Sequence, residues 1–142
     1  MGDRRLSVAL RQPGPIPLDV EFTCEPGDVL AIFGPSGSGK TTVLRSIAGL
    51  YRPVHAAVGC GGDSWTDSAH GVFVPPYRRR VGFVFQEYAL FPHLTAAGNV
   101  RTALGHLPRA ERRDRAEALL ALVHLSAQSA KRPHELSGGE RQ

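Results

Sequence analysis

The residues Gly34-Pro35-Ser36-Gly37-Ser38-Gly39-Lys40-Thr41 have the spacing G-x-x-x-x-G-K-[ST], a pattern whose chemistry is the binding of a phosphate chain. Backbone N–H groups that curl around an anion must all point inward. Glycine permits this by entering conformations closed to other residues and by letting the backbone approach closely. Lys40 is then placed to reach the β- and γ-phosphates, and Thr41 offers a hydroxyl to Mg²⁺, with Thr42 beside it. A helix beginning at Lys40 would aim its positive end at the same phosphates. Gly34, Pro35, Ser36, Gly37, Ser38, Gly39, Lys40, Thr41 and Thr42 are therefore the candidate nucleotide-binding residues. Lys40 is also a candidate catalytic residue.

A second constellation lies at Leu136-Ser137-Gly138-Gly139-Glu140-Arg141-Gln142. A serine hydroxyl and unhindered glycine amides at a helix start make another anion site, so Ser137, Gly138 and Gly139 join the candidate binding residues. Between the two stands Gln86, closing the apolar run Val81-Gly82-Phe83-Val84-Phe85. An amide there can ligand a cation weakly and position a water while it rearranges. Taken alone, Gln86 reads as a polar residue at a strand end; its place between the two motifs, in a stretch that resembles the Q-loop region of ATP-binding cassette proteins, makes it a second candidate catalytic residue and, with Thr41, a candidate Mg²⁺ ligand.

Each of these positions needs an element to hold it. Leu18-Asp19-Val20-Glu21-Phe22 alternates as a half-buried strand does, and Leu6 to Leu10 alternates weakly before the turn cluster Arg11-Gln12-Pro13-Gly14-Pro15, so an antiparallel pair is expected. Val29-Leu30-Ala31-Ile32-Phe33 has no alternation and reads as a central strand covered on both faces. From Lys40 the apolar positions Val43, Leu44, Ile47 and Ala48 fall at helical spacing, and Gly49 and Pro53 mark the exit. Val54 to His70 predicts short strands with an exposed excursion; the pattern leaves Trp65 unassigned. Gly71 to Val74 is a short apolar run, and Val81 to Phe85 predicts another buried strand. From Ala96 onward the texture is helical: Val100 and Leu104, then Pro108 as a first-turn proline, then Ala116, Leu119, Leu120 and Val123.

Composition narrows the function classes. The 142 residues suit one soluble domain or a piece of one, and no window approaches the length of a membrane span or secretory signal. Cys24 and Cys60 lack metal-ligand spacing and are expected as reduced thiols. The net charge is +4, and arginine supplies all the basic residues except Lys40 and Lys131, which singles out Lys40. The arginines cluster only at Arg78-Arg79-Arg80 and between Arg109 and Arg115, where Glu111 and Asp114 interrupt them; a solvated helix face is expected there, and nucleic acid is not an expected partner. No His/Cys/Asp cluster has transition-metal spacing, and no Ser/His/Asp triad is expected.

The Leu136 to Gln142 segment resembles the signature sequence of ATP-binding cassette (ABC) proteins. The stretch from Val81 to Thr95 with Asn99-Val100 resembles their Q-loop region, and the wording of Pro75 to Gly82 and Tyr88 to Thr95 is most similar to importer ATPases, the molybdate branch above all. The resemblance implies an α/β P-loop NTPase core of the RecA type with an N-terminal antiparallel β-subdomain and an α-helical subdomain. It divides the chain into a β-subdomain with part of the core over 1–86 and a Q-loop, helical and signature part over 87–142. It also implies ATP and Mg²⁺ as cofactors, and a second nucleotide-binding domain as partner, so that Ser137, Gly138 and Gly139 grip the partner's ATP. Transmembrane permease subunits would meet the segment after Gln86, which places the protein in the cytoplasm on the inner face of the plasma membrane.

The sequence departs from that pattern in two ways. No Phe, Tyr or Trp precedes Phe22 to stack on adenine, and no apolar run ending in Asp-Glu, nor a later switch histidine, follows the signature. The resemblance therefore implies a core whose C-terminal part is missing, including strands between the P-loop strand and the Q-loop strand, and a chain that alone is poorly folded and without steady ATP turnover. Two readings compete with an importer ATPase: a truncated product that binds nucleotide or a partner without catalysis, and a soluble ABC protein acting on DNA or ribosomes.

Overall fold

The computed structural model describes residues 5–142, which divide into two compact units meeting between Phe83 and Val84. In the first unit, strands β1 (Leu6–Gln12) and β2 (Leu18–Cys24) form the expected antiparallel pair, with Leu6 opposite Cys24 and Gln12 opposite Leu18. After the glycine-rich loop comes helix α1 (Lys40–Ala48), and then strands β3 (His55–Cys60), β4 (Asp63–Asp67) and β5 (Val72–Phe73). All five strands join one antiparallel sheet in the order β2-β1-β3-β4-β5.

Alternation explains which face is dry. Val8 and Leu10 of β1, Leu18 of β2, and Ala56 and Val58 of β3 are buried together with Val43 of α1, while Ser7, Arg11 and Ala57 face outward. Antiparallel sheets tolerate such one-sided burial. Trp65 belongs to this core as well. The β3–β4 register shifts between Val58 and Gly59, where Val58 faces Thr66 but Gly59 faces Ser64, so Trp65 is the extra residue of a bulge. A bulge breaks the two-residue period, and Trp65 and Thr66 are both buried as a result. Helix α1 ends as its sequence predicts: Gly49 has φ +78°, its N–H donates to Ser46 O, and Leu50 N–H donates to Arg45 O, a Schellman closure.

The expected central strands are corrected. Neither Val29–Phe33 nor Val81–Phe85 is a strand, and Val29, Phe33 and Val84 are 96%, 90% and 87% exposed. A strand exists through its ladder partner, and no strand among the described residues pairs with either run. Both cysteines are free and half-buried, lying laterally on either side of Leu6.

The second unit is helical: α2 (Ala96–Ala103), α3 (Arg112–Leu122) and α4 (Gly138–Arg141). α2 packs on α3, which buries Ala116 and Leu120, and Leu104 and Leu136 are buried in the same unit. Two details differ from the periodic reading. α3 begins at Arg112 and not near Pro108, because Arg112 folds back to donate from its guanidinium to the carbonyls of Leu107 and Gly105 and so closes the preceding turn. Val123 is exposed, because the helix ends at Leu122 and the chain turns away.

Candidate functional site

The loop from Gly34 to Gly39 is shaped by glycine where glycine is required. Gly37 and Gly39 have φ of +82° and +87°, in the left-handed region. A Cβ on Gly39 would lie 2.7 Å from Leu18 Cδ2 and 3.2 Å from Ile16 Cγ2, so the helix start is packed directly on the β1–β2 turn. Inside the loop, Ser38 N–H donates to Pro35 O at 3.3 Å.

Three features of this loop are those an anion would use. Gly39 caps α1 with no side chain, and the first turn holds no acidic residue. The orphan N–H groups that every helix start carries therefore meet no carboxylate of their own, and the positive end of the helix stays unneutralised. Lys40 folds across the loop, its Nζ donating to Gly34 O at 2.8 Å and Pro35 O at 2.7 Å. An ammonium has three donors, so one remains for a phosphate oxygen. Thr41 is exposed at the helix start, whereas Thr42 is buried, and Ser46 Oγ donates to its carbonyl at 2.7 Å. Thr42, at the third position of the helix, can offer an anion its backbone N–H.

Gln86 lies in the second unit and opens an exposed turn, not the end of a buried strand. The turn is strained: Tyr88 and Ala89 take φ of +61° and +50°, which costs non-glycine residues of order 1 kcal/mol each. Beyond it the chain is pinned by Asn99, whose Oδ1 accepts from Phe91 N–H at 2.7 Å while its Nδ2 donates to Thr95 O at 3.0 Å. Thr95 caps α2 by accepting from Gly98 N–H. The sequence places Asn99 within the segment but carries no signal of this clamp.

The signature residues form a capping box. Ser137 Oγ accepts from Glu140 N–H at 3.3 Å, and Ser137 N–H donates to Glu140 Oε2 at 2.7 Å. The Ser137 amide, and then its side chain, hold the Glu140 carboxyl below the usual glutamate range. Gly138 and Gly139 have open space where a Cβ would stand. The structure brings Gly34 to Thr42 together in one loop and helix start, and Ser137 to Gly139 in one corner of the second unit. Among the described residues no group of His, Cys, Asp and Glu could hold a metal, and no helix is long and apolar enough to cross a membrane.

Residues 18–142 match the family model for the ABC transporter. The chain belongs to the ABC transporter family. It is 46% identical over 125 residues to molybdenum import ATP-binding protein ModC 1 of Azotobacter vinelandii, covering 88% of this chain and 35% of that protein. It is 44% identical over 138 residues to the ModC of Albidiferax ferrireducens, covering 96% of this chain and 37% of that one. This ABC chain therefore spans little more than a third of the length of these relatives. Among solved structures, the ATP-binding cassette MJ0796 in a dimeric post-hydrolysis state bound to ADP and Pi superposes with a TM-score of 0.75 at 29% identity, over 96% of this chain and 65% of that one. The dimeric structure of the same bacterial cassette gives 0.76 at 28% identity with the same coverage. The α/β P-loop class expected from the sequence stands, with the antiparallel sheet and helical unit present.

Proposed function

We propose that this chain is the ATP-binding part of an importer ATPase that binds Mg-ATP and couples its hydrolysis to uptake of an oxyanion, molybdate. The observation that carries the reading is the uncapped, acid-free start of α1 with Lys40 drawn across the loop: a built cation at a helix end that already favours anions. Gly34 to Thr42 receive the phosphates, and the exposed Thr41 hydroxyl, with Gln86, serves Mg²⁺. Ser137, Gly138 and Gly139 clamp the nucleotide of a second nucleotide-binding domain. The dimeric cassettes with the same fold support that arrangement. The names of the relatives, molybdenum import ATP-binding proteins, support molybdate as the cargo; permease subunits and a place on the inner membrane face belong to the importer reading itself.

ATP closes such a pair and hydrolysis reopens it, so transport is a population shift driven by differential affinity for nucleotide. Residues 1–142 contain no apolar run ending in Asp-Glu, and we assign them nucleotide binding without steady turnover of their own. The test is uptake of labelled molybdate in cells lacking their importer ATPase, complemented with the whole protein that carries this segment. Restored uptake that Lys40→Ala abolishes supports the reading. Uptake no higher than with an empty vector refutes it.

A further inference from the structure

Arg79 is only 4% exposed, yet it carries a charge into the core of the first unit. Its five N–H donors are all used. Nε donates to Val74 O at 2.8 Å, one terminal nitrogen to Ser46 O and Ile47 O at 3.1 and 2.7 Å, and the other to Trp65 O and Thr66 Oγ1 at 3.2 and 2.7 Å. Its Cζ also lies 5.2 Å from the Phe73 ring centroid and 5.8 Å from that of Trp65. The acceptors are carbonyls and one hydroxyl. Two of the carbonyls belong to the last turn of α1, where the negative end of the helix lies. Burial pushes the guanidinium down from its usual range, but a group that starts so high stays charged at neutral pH.

Only a flat fork reaches three elements at once. Gly49 makes room for it: a Cβ there would stand 2.7 Å from Arg79 Nε. Helix α1 is thus held at both ends, by Arg79 at its last turn and by the contact of Gly39 with Leu18 and Ile16 at its first. A nine-residue helix is about 13.5 Å long, and fixing its far end fixes the direction of the amides at its near end.

We propose that Arg79 is a positioning residue for the phosphate cradle, locking α1 to the β4–β5 hairpin so that the loop amides are set before nucleotide arrives. The proposal rests on the cradle reading above. Its test compares the whole protein that carries this segment with its Arg79→Lys and Arg79→Met variants. Without nucleotide, the amide resonances of Gly37 to Thr42 should shift in both variants, although these residues do not touch Arg79. With a fluorescent ATP analogue and Mg²⁺, both variants should bind about tenfold more weakly or worse. The deficit should persist when trimethylamine oxide is added until the folded fraction matches wild type, and lysine should not rescue it. Shifts confined to Ser46–Gly49, Trp65–Thr66 and Phe73–Val74 would overturn the proposal, as would affinity that recovers fully with osmolyte. If wild type binds no nucleotide, the cradle reading falls, and the apo resonances alone decide whether Arg79 sets the loop.

Discussion

Replacing Lys40 by Met separates the cradle's charge from its shape. The side chain is unbranched in both cases, and α1 keeps a good helix former at its first position. The two bonds lost, to Gly34 O and Pro35 O, are exposed, so water can replace them and folding should suffer by no more than about 1 kcal/mol. Binding should suffer far more. A hydrogen bond to a charged group contributes about 1.5–3 kcal/mol, so loss of the remaining Nζ donor to a phosphate oxygen weakens binding about 10- to 150-fold. The assay is anisotropy of a fluorescent ATP analogue with Mg²⁺ at low and moderate salt, with circular dichroism to establish equal folding. The site is open to solvent, so wild-type affinity should fall as salt screens the ammonium, and Lys40→Met should fall less steeply. Lys131→Met, which removes the other lysine, should leave the cradle's affinity unchanged. Equal affinity of Lys40→Met and wild type would refute the reasoning, and so would an equal loss in Lys131→Met.

Gly39→Ala should disable the cradle without touching its charge, because the new Cβ meets Leu18 in a backbone conformation hostile to alanine; binding measured by the same anisotropy should drop at least as far as in Lys40→Met. Leu10 is fully buried between Val20 and Ala56, and Leu10→Ala should cost about 2.7–5 kcal/mol, read as a lower urea midpoint of Trp65 emission. The Glu140 carboxyl is held low by Ser137, so its folded pKa lies below its unfolded value. Its capping contribution is then complete above the ordinary glutamate pKa of about 4.3 and lost as pH falls through the folded value. Protection of the Ser137 and Glu140 amides, taken as the intrinsic exchange rate relative to the observed rate at each pH, should fall on acidification below that point, and Glu140→Gln should flatten the dependence.

What the sequence made legible was local. The loop, α1 with its glycine exit, the β1–β2 pair and the Ser137 cap all follow from short-range spacing and side-chain chemistry. Trp65 escaped because a bulge erased the period it would have obeyed. Arg79 escaped because its partners are backbone carbonyls from distant elements, which leave no trace in residue identity. It stood inside a run of three arginines whose neighbours Arg78 and Arg80 are exposed. Val29–Phe33 reads as a strand by composition, but a strand is a relation between two segments, and Val29, Leu30 and Phe33 instead meet solvent while Ile32 packs on the core.

On the proposed reading, main-chain amides with one ammonium recognise the phosphate tail and not the base. Calorimetric titration of the chain with Mg-ATP and, separately, with adenosine tests it most directly. Saturable binding of Mg-ATP, competed by inorganic triphosphate and not by adenosine, is the expected result. Equal binding of adenosine, or none of Mg-ATP by folded chain, would contradict it.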